Sequence, residues 1–333
     1  MSAPLRSPAQ GATPATDTGI RGDVLRGLLS VPKTLPPKLF YDETGARLFE
    51  RICTLDEYYL TRAELDILRR RADEIASLAG PNCALVEYGS GAGVKVRLLL
   101  DALERPAAYV PIDISPEQLA HVASELAAAY PGIPVHATYA DYTQPVRLTS
   151  LPAGARRLAF FPGSTIGNFH PAEAAAFLRR VRWTVGSDGA LVMGVDRRKD
   201  PRMLHAAYND AAGVTAAFNL NLLTRINREL GADFDLARFR HRAVFNNAAS
   251  RIEMHIVSGE RHVVHVGDET IAFARGETIW TECSYKYDRQ RLEALVSAAG
   301  FEIGRLWTDA SGRFWVAFLT PAARSASVQQ VTE

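Results

Sequence analysis

The spacing of hydrophobic positions along the chain predicts helices and strands in alternation. Residues 21–79 are predicted to be helical, and within them Leu65, Leu68 and Ile75 recur at the period of a helix. Short apolar runs follow, and each predicts a strand: CALVEY (83–88), AAYVPID (107–113), VHATYA (135–140), RRLAFF (156–161) and ALVMGVD (190–196). Helical runs separate them. Because strands that alternate with helices form parallel sheets covered on both faces, the pattern predicts a doubly wound, mostly parallel α/β sheet.

The pattern changes after Asp196. Residues 203–230 are predicted to be helical, and the runs between residues 241 and 284 alternate with a period of two, which is typical of an antiparallel sheet. A last helix, RQRLEALVSAAG, and two strands, FEIGRLWTD and FWVAFLTP, are predicted to close the first sheet. We therefore divide the chain into a helical segment plus core (21–196), an inserted α+β substrate domain (197–286) and a return to the core (287–321).

The two ends of the chain have a different composition. Residues 1–20 and 322–333 are rich in small and polar residues and contain no long apolar run, so both are predicted to be disordered tails. The start has no hydrophobic segment typical of a signal peptide.

Composition narrows the class of protein. The chain is 47% hydrophobic and 23% charged, as in soluble globular enzymes, and it has no uncharged apolar stretch long enough to cross a membrane. Its net charge of +1 gives no electrostatic reason to expect binding to nucleic acid or to an acidic membrane. Three widely separated cysteines favour reduced thiols, and the histidines near residue 260 lack partners for a zinc pattern. We expect a cytoplasmic monomer without a metal.

A glycine cluster after the first strand predicts a nucleotide-type binding turn. The run LVEYGSGAGVKVR (85–97) lacks the spacing of the dinucleotide fingerprint and of the P-loop. Instead, the order Glu87-x-Gly89-x-Gly91-x-Gly93 resembles the first motif of class I methyltransferases, which use S-adenosylmethionine. Glycines allow the backbone to approach a cofactor, the following helix offers N–H groups, and Lys95 adds a positive charge. Taken alone, the run fits a tight turn with a surface lysine as well as it fits a cofactor-binding turn.

Polar residues also follow the next two strands. Asp113 can accept from ribose hydroxyls, Asp141 from an adenine amino group, and Tyr142 can pack on the ring. Each Asp can instead be a helix cap or a turn residue. The glycine cluster, Asp113 and Asp141 lie at the carboxyl ends of three successive predicted strands. Because ligands bind there in open α/β sheets, the three positions together favour a nucleotide site.

Longer motifs carry a resemblance to a family. GSTIGN occurs together with LFYDETGARLFERI, EYYLTR, GVTAAFNLNLLTRINRELGADF, RIEM and TECSYKY. This set closely resembles the L-histidine Nα-methyltransferases of ergothioneine biosynthesis, over the chain from about Lys33 to Trp315. The resemblance implies a Rossmann-like class I fold, S-adenosylmethionine as cofactor, and histidine as the small-molecule substrate, converted by three methylations to hercynine.

The resemblance also implies roles for individual residues. The cofactor positions are Glu87, Gly89, Gly91, Lys95, Asp113, Asp141 and Tyr142. The histidine-binding positions are Tyr58, Gly163, Asn168, Tyr208, Met254, Glu282 and Ser284. Of these, Asn168 and Tyr208 hold the carboxylate, and Tyr58, Glu282 and Ser284 hold the imidazole, with Met254 nearby. Tyr41 lies beside the amine, and with Gly163 and Asn168 it makes up the expected catalytic set.

The residues alone leave other interpretations open. Glu282 and Ser284 are two apart on a predicted strand and so share a face, which suits the two nitrogens of an imidazole but also suits an edge strand facing water. By composition alone, packing roles are favoured for Tyr58, Tyr208 and Met254. Asn168 can be a helix cap. Two further functions remain: an N-methyltransferase for another amino acid or amine, and a non-catalytic module that binds S-adenosylmethionine.

Overall fold

The computed structural model describes residues 19–146, 148 and 151–323. The helices in these residues are α1 (Ile20–Leu28), α2 (Glu43–Thr54), α3 (Tyr59–Ala79), α4 (Val94–Ala102), α5 (Pro116–Ala129), α6 (Pro171–Val185), α7 (Pro201–Tyr208), α8 (Val214–Leu230) and α9 (Arg289–Ala298). The strands are β1 (Lys33–Thr34), β2 (Ala84–Tyr88), β3 (Ala108–Asp113), β4 (Thr138–Tyr139), β5 (Arg157–Phe161), β6 (Ala190–Asp196), β7 (Phe239–Asn246), β8 (Arg251–Ser258), β9 (His262–Val266), β10 (Glu269–Phe273), β11 (Thr278–Tyr285), β12 (Phe301–Thr308) and β13 (Phe314–Pro321). Both predicted tails lie almost wholly outside the described residues.

A seven-stranded sheet forms the centre of the molecule. Its order is β12-β13-β6-β5-β2-β3-β4. Strands β6, β5, β2, β3 and β4 pair in parallel, and β13 is antiparallel to both of its neighbours, β6 and β12. The prediction of a doubly wound, mostly parallel sheet is confirmed. The strand predicted at 135–140 is shorter, with only β4 and a single bridge from Val135 to Tyr109, because it lies at the sheet edge and pairs on one side.

Both faces of this sheet are covered, which explains why its strands are continuous apolar runs. Neighbouring residues point to opposite faces: Phe160 joins the cluster under α3, α4 and α5, whereas Phe161 joins the cluster under α6 and α9. Burial on both sides removes the alternation of polar and apolar residues that a half-exposed strand would show.

The second sheet combines two distant parts of the chain. β7, β8 and β11 are antiparallel, and β1 adds to β11 in parallel, with Lys33 opposite Ile279. β9 and β10 form a separate hairpin. The helical prediction for residues 21–79 is wrong at β1 and at the 3-10 turn Pro37–Phe40, because prolines at positions 32, 36 and 37 interrupt the helix.

One hydrophobic cluster extends from the large sheet to the second sheet. It includes Phe160 of β5, Ile67 of α3, Phe218 of α8 and Ile256 of β8, all nearly or fully buried. The N-terminal helices therefore pack against both sheets. The domain boundaries at residues 196 and 286 remain a prediction, and packing across them is continuous.

Candidate active site

A large cavity opens at the carboxyl ends of β2, β3 and β5. Its volume is about 1120 Å³, more than the roughly 300–1,000 Å³ of a single small-molecule pocket, so it has room for two ligands. Most of the predicted site residues line it, namely Tyr41, Tyr58, Glu87, Gly89, Gly91, Lys95, Asp113, Asp141, Tyr142, Gly163 and Asn168. The fold thus brings both predicted cofactor residues and part of the predicted substrate set to one cavity.

The glycine turn provides a backbone cradle on one wall. Gly89, Gly91 and Gly93 have φ of +79°, +49° and +67°, which side chains with a Cβ rarely adopt. A Cβ on Gly93 would lie 3.0 Å from Val122. α4 begins directly after this turn, so the N-terminus of the helix, with its unpaired N–H groups, lies at the cavity. The turn fits a cofactor that carries a carboxylate.

Glu87 lies beneath this turn. It is buried and accepts a hydrogen bond from the Tyr109 hydroxyl at 2.5 Å. Burial raises the pKa of Glu87 to about 8, although Tyr109 and Lys95 oppose the shift. Glu87 is therefore mostly protonated at pH 7, and it lines the cavity while its carboxyl group is held by Tyr109 of β3.

Two aspartates stand at the ends of the next strands. Asp113 accepts from the N–H of Ser115 at 3.1 Å and from the N–H of Gly91 at 3.4 Å, which ties it to the glycine turn. Asp141 accepts from the N–H of Thr143 at 2.9 Å. The turn role that the sequence left open is thus present at both positions. Both carboxylates also line the cavity, so the two interpretations are compatible.

Tyr142 forms the aromatic wall next to Asp141. Its ring packs edge-on against Tyr88, Phe161 and Phe177, with centroids 5.9–6.2 Å apart. Packing on several sides fixes the ring orientation, which suits a flat ligand group.

Glu64 joins the two halves of the cavity, and the sequence analysis did not identify it. Its buried carboxylate pairs with Lys95 Nζ at 2.6 Å and accepts from the N–H of Gly163 at 2.9 and 3.0 Å. A Cβ on Gly194 of β6 would lie only 2.0 Å from Glu64 Oε1, so this glycine leaves room for the carboxylate. A signal existed: Glu64 lies at helical spacing between Leu60 and Leu68, on the apolar face of α3.

The GSTIGN turn packs closely on β11. A Cβ on Gly167 would lie 2.7 Å from the Tyr285 carbonyl oxygen. The Cys283 thiol donates to the carbonyl of Asn168 at 3.4 Å. The turn that carries Gly163 and Asn168 is therefore held directly against the strand that carries Glu282 and Ser284.

The remaining predicted residues form a second group next to the cavity. Tyr208, Met254, Glu282 and Ser284 lie on α7, β8 and β11 and are not among the residues on the cavity wall. Tyr58 connects the two groups, because it lines the cavity and packs edge-on against Tyr208 with centroids 6.1 Å apart. Glu282 and Met254 are cross-strand partners and share a face.

Burial shapes the acid–base properties of this second group. It raises the pKa of Glu282 to about 7, and the positive charge of Lys286 opposes that shift. Burial also raises the pKa of Tyr41 and of Tyr58 well above the ordinary value, and Glu282 contributes to both. Glu282 is thus electrostatically coupled to two tyrosines of the cavity wall.

A buried polar network lies behind Tyr208 and Ser284, and the sequence analysis missed its members. Lys286 is fully buried and contacts Asp196 at 2.8 Å, Tyr208 OH at 3.0 Å and Ser284 Oγ at 2.9 Å. Asp196 also pairs with Lys199 and accepts from the hydroxyl of Tyr59. Lys286 was detectable in part, since it follows Glu282 and Ser284 at the two-residue period of a strand.

The described part of the chain contains no group of three or more His, Cys, Asp or Glu side chains arranged to hold a metal. Within the same residues, no helix is both long and apolar enough to span a membrane.

The doubly wound sheet, the glycine cradle and the acidic residues at the strand ends define a class I S-adenosylmethionine-dependent methyltransferase. More narrowly, the chain belongs to the histidine-specific, S-adenosylmethionine-dependent methyltransferases, whose family model matches residues 20–321. The family resemblance carried by the GSTIGN and TECSYKY motifs is confirmed.

Named relatives agree with this assignment. The histidine N-alpha-methyltransferase of Mycobacterium tuberculosis is 44% identical over 300 residues, covering 89% of this chain and 92% of that protein. Ergothioneine biosynthesis protein 1 of Neurospora crassa is 33% identical and covers 83% of this chain, which matches 32% of that longer protein. A 4-dimethylallyltryptophan N-methyltransferase of Aspergillus fumigatus is 29% identical, covering 88% of this chain and 91% of that protein.

Proposed function

We propose that this protein transfers three methyl groups from S-adenosylmethionine to the α-amine of L-histidine, giving hercynine as the first step of ergothioneine biosynthesis in the cytoplasm. The observation that carries the proposal is the contact between the GSTIGN turn and β11, which places a cofactor-type cavity beside Glu282, Ser284 and Tyr208. The names of the mycobacterial and Neurospora relatives support the substrate and the pathway.

The glycine cradle, Lys95, Asp113, Asp141 and Tyr142 would hold the cofactor. When bound, S-adenosylmethionine supplies a methyl group that is already activated by a sulfonium charge. The protein's main task is therefore to hold a neutral amine in line with that group. Asn168 and Tyr208 would orient the substrate carboxylate, and Glu282 and Ser284 would bind the imidazole.

Tyr41 and Tyr58 act as neutral hydroxyl groups in this proposal. Because burial raises both pKa values, each tyrosine keeps its proton at neutral pH and does not serve as a base. The neutral hydroxyl of Tyr41 can still hydrogen-bond the amine and fix its direction, and that of Tyr58 can hydrogen-bond the imidazole. The amine proton must leave before each transfer, and with both tyrosines neutral its acceptor is a carboxylate or water.

One observation favours a second candidate substrate class. The Aspergillus relative is named for a tryptophan derivative, although it aligns with most of this chain. A relative with a similar sequence is therefore named for a substrate with a different side chain. In this proposal, the residues that would bind the imidazole determine which substrate is accepted. A methyltransferase for another aromatic amino acid is the alternative to histidine.

Incubation of the purified protein with S-adenosylmethionine and each of the twenty amino acids tests the proposal, with products measured by mass. We expect histidine to gain three methyl groups. Methylation of another amino acid with histidine unchanged would overturn the substrate assignment. Cofactor binding without any turnover would indicate a non-catalytic module.

A further inference from the structure

Tyr208 is the last residue of α7, and a histidine from the second sheet binds its backbone carbonyl. The carbonyl oxygens at the end of a helix have no partner within the helix. His241 of β7 supplies a partner here, because its Nε2 lies 2.9 Å from the Tyr208 carbonyl oxygen. The next residue, Asn209, binds the N–H and the carbonyl of Ala243 on the same strand, each at 3.2 Å. The end of α7 is therefore fixed to β7 at two consecutive residues.

The other ring nitrogen of His241 belongs to a chain of hydrogen bonds. His241 Nδ1 lies 2.9 Å from the side-chain nitrogen of Asn219, a fully buried residue of α8. The same side-chain nitrogen donates to the backbone carbonyl of His255 at 3.1 Å. The side-chain oxygen of Asn219 accepts the hydroxyl hydrogen of Thr281 at 2.7 Å. The chain thus runs from the Tyr208 carbonyl through His241 and Asn219 to Thr281 of β11.

The two backbone carbonyls fix the direction of the hydrogen bonds in this chain, since a carbonyl can only accept. The His255 carbonyl requires an N–H from Asn219, so the Asn219 nitrogen lies on that side and donates its second hydrogen to His241 Nδ1. Nδ1 is therefore unprotonated. The Tyr208 carbonyl requires an N–H from Nε2, so the neutral ring carries its one hydrogen there. Burial lowers the pKa of His241, which agrees with a neutral ring.

We infer that His241 is a positioning residue for the substrate carboxylate, acting through the backbone of Tyr208 and not by touching the substrate. The Tyr208 hydroxyl accepts from Lys286 and donates its one hydrogen to Ser284 in the structure. A bound carboxylate would accept that hydrogen in place of Ser284. Because the tyrosine ring is rigid, a shift of its backbone moves the hydroxyl away from the carboxylate. The inference rests on the proposed function and deepens it, because it names the group that holds one of the two carboxylate-binding residues in place.

Two substitutions distinguish the roles of the two nitrogens of His241. The side-chain amide of asparagine reaches the position of Nδ1, and the amide of glutamine reaches the position of Nε2. His241→Asn therefore keeps a partner for Asn219 and loses the donor to Tyr208, whereas His241→Gln keeps that donor. For each protein, kcat and KM are measured by mass with histidine and with histidinamide, which has no carboxylate.

The expected effect depends on the carboxylate of the substrate. His241→Asn should raise KM for histidine about tenfold and leave kcat within about twofold, because binding is weakened and the reacting groups are unchanged. KM for histidinamide should change by less than about twofold. His241→Gln should stay within about threefold of the wild type for both substrates. In a Tyr208→Phe background, which lacks the hydroxyl, His241→Asn should change KM for histidine by less than about twofold.

Asn227→Ala is the matched control for a loss of stability alone. Asn227 makes two hydrogen bonds to the backbone of Phe234 and is not among the residues on the cavity wall. The variant should be less stable in urea, with both KM values unchanged. Three results would overturn the inference: an unchanged KM for histidine in folded His241→Asn, an equal rise in KM for histidinamide, or the same rise in Asn227→Ala.

If His241→Asn does not fold, the wild type and His241→Gln decide by NMR of protein labelled with ¹⁵N-histidine. The Nε2–H of His241 is the signal that His241→Gln lacks. With S-adenosylhomocysteine present, saturating histidine should shift this signal more than saturating histidinamide does. A protonated Nδ1, or equal shifts with the two ligands, would contradict the inference. A wild type that does not methylate histidine overturns the proposed function as well, whereas the results named above, with histidine methylated, overturn the inference alone.

Discussion

The carboxylate of Glu64 accepts the backbone N–H of Gly163 through both of its oxygens, at 2.9 and 3.0 Å. The same carboxylate pairs with Lys95 at the start of α4. One buried acid therefore connects Lys95, which follows the glycine turn, with the GSTIGN turn. The predicted cofactor and substrate positions are tied to each other through α3.

We expect Glu64→Gln to destabilise the protein by about 2–4 kcal/mol, because it leaves the partly buried Lys95 without its counter-charge. Urea unfolding measures the change. Asp66→Asn on the same helix is the control, since its pair with Arg70 is exposed and worth less than about 1 kcal/mol. An equal loss of stability in the two variants would show that the Glu64 ion pair contributes no more than an exposed pair does.

Asp113→Ala should weaken S-adenosylmethionine binding by about 1.5–3 kcal/mol, as expected for loss of a charged acceptor. Histidine binding should change less. Calorimetry on the purified protein measures both. Asp101→Ala is the control, because Asp101 bonds Tyr130 on the surface, away from the cavity. Unchanged cofactor affinity in Asp113→Ala would show that Asp113 has only a structural role, through its hydrogen bond to the glycine turn.

Histidinamide should be a much poorer substrate than histidine. It lacks the carboxylate that we assign to Asn168 and Tyr208, and Lys286 behind Tyr208 adds positive charge at that end. The loss should be roughly a hundredfold in kcat/KM, corresponding to about 2–3 kcal/mol for a charge-assisted interaction. Equal efficiency for the two compounds would remove the carboxylate contacts from the proposal.

Glu282→Ala should lower kcat/KM for histidine by about a hundredfold, because an imidazole N–H loses its acceptor. The variant should also discriminate less against phenylalanine and tryptophan, whose rings do not require that acceptor. Cofactor affinity should barely change. The comparison needs all three amino acids and a calorimetric cofactor titration, and intact histidine preference in a folded variant would contradict the role of Glu282.

The raised pKa of Glu282 predicts a dependence of stability on pH. In the folded protein this pKa is about 7 rather than 4.5, so its favourable contribution is complete below pH 4.5 and is lost as pH rises through 7. The Glu282→Gln side chain cannot ionise. The free energy of unfolding of the variant, relative to that of the wild type, should therefore rise by up to about 3 kcal/mol between pH 5 and pH 8. Urea unfolding at both pH values measures this gain. Parallel behaviour of the two proteins would contradict the raised pKa.

The sequence predicted the parts of the fold that depend on local pattern. The strands of the large sheet were recognised because burial on both faces makes them continuous apolar runs. β1 was not recognised, because two residues carry no pattern and their partner, β11, lies far along the chain. The same limit applies to the site: Asp113 ends β3 and Asp141 comes two residues after β4, whereas Glu64 contacts Gly163, 99 residues later in the chain. The role of a buried charged residue becomes clear only from its partner. For Glu64 that partner is distant in the sequence and is brought close only by the tertiary fold.

The pairing of β1 with β11 has a consequence for biosynthesis on the ribosome. Lys33 bonds Glu277, 244 residues later in the chain. At about 5–20 residues per second, roughly 10–50 s pass between the synthesis of the two partners. Leu35, Leu39 and Phe40 are almost fully buried in the finished protein. Phe40 lacks its stacking partner Phe218 until α8 is synthesised, and Leu35 lacks its backbone partner Trp280 until β11 is synthesised. The nascent N-terminal segment therefore keeps these apolar side chains without their final contacts until the later elements have been synthesised.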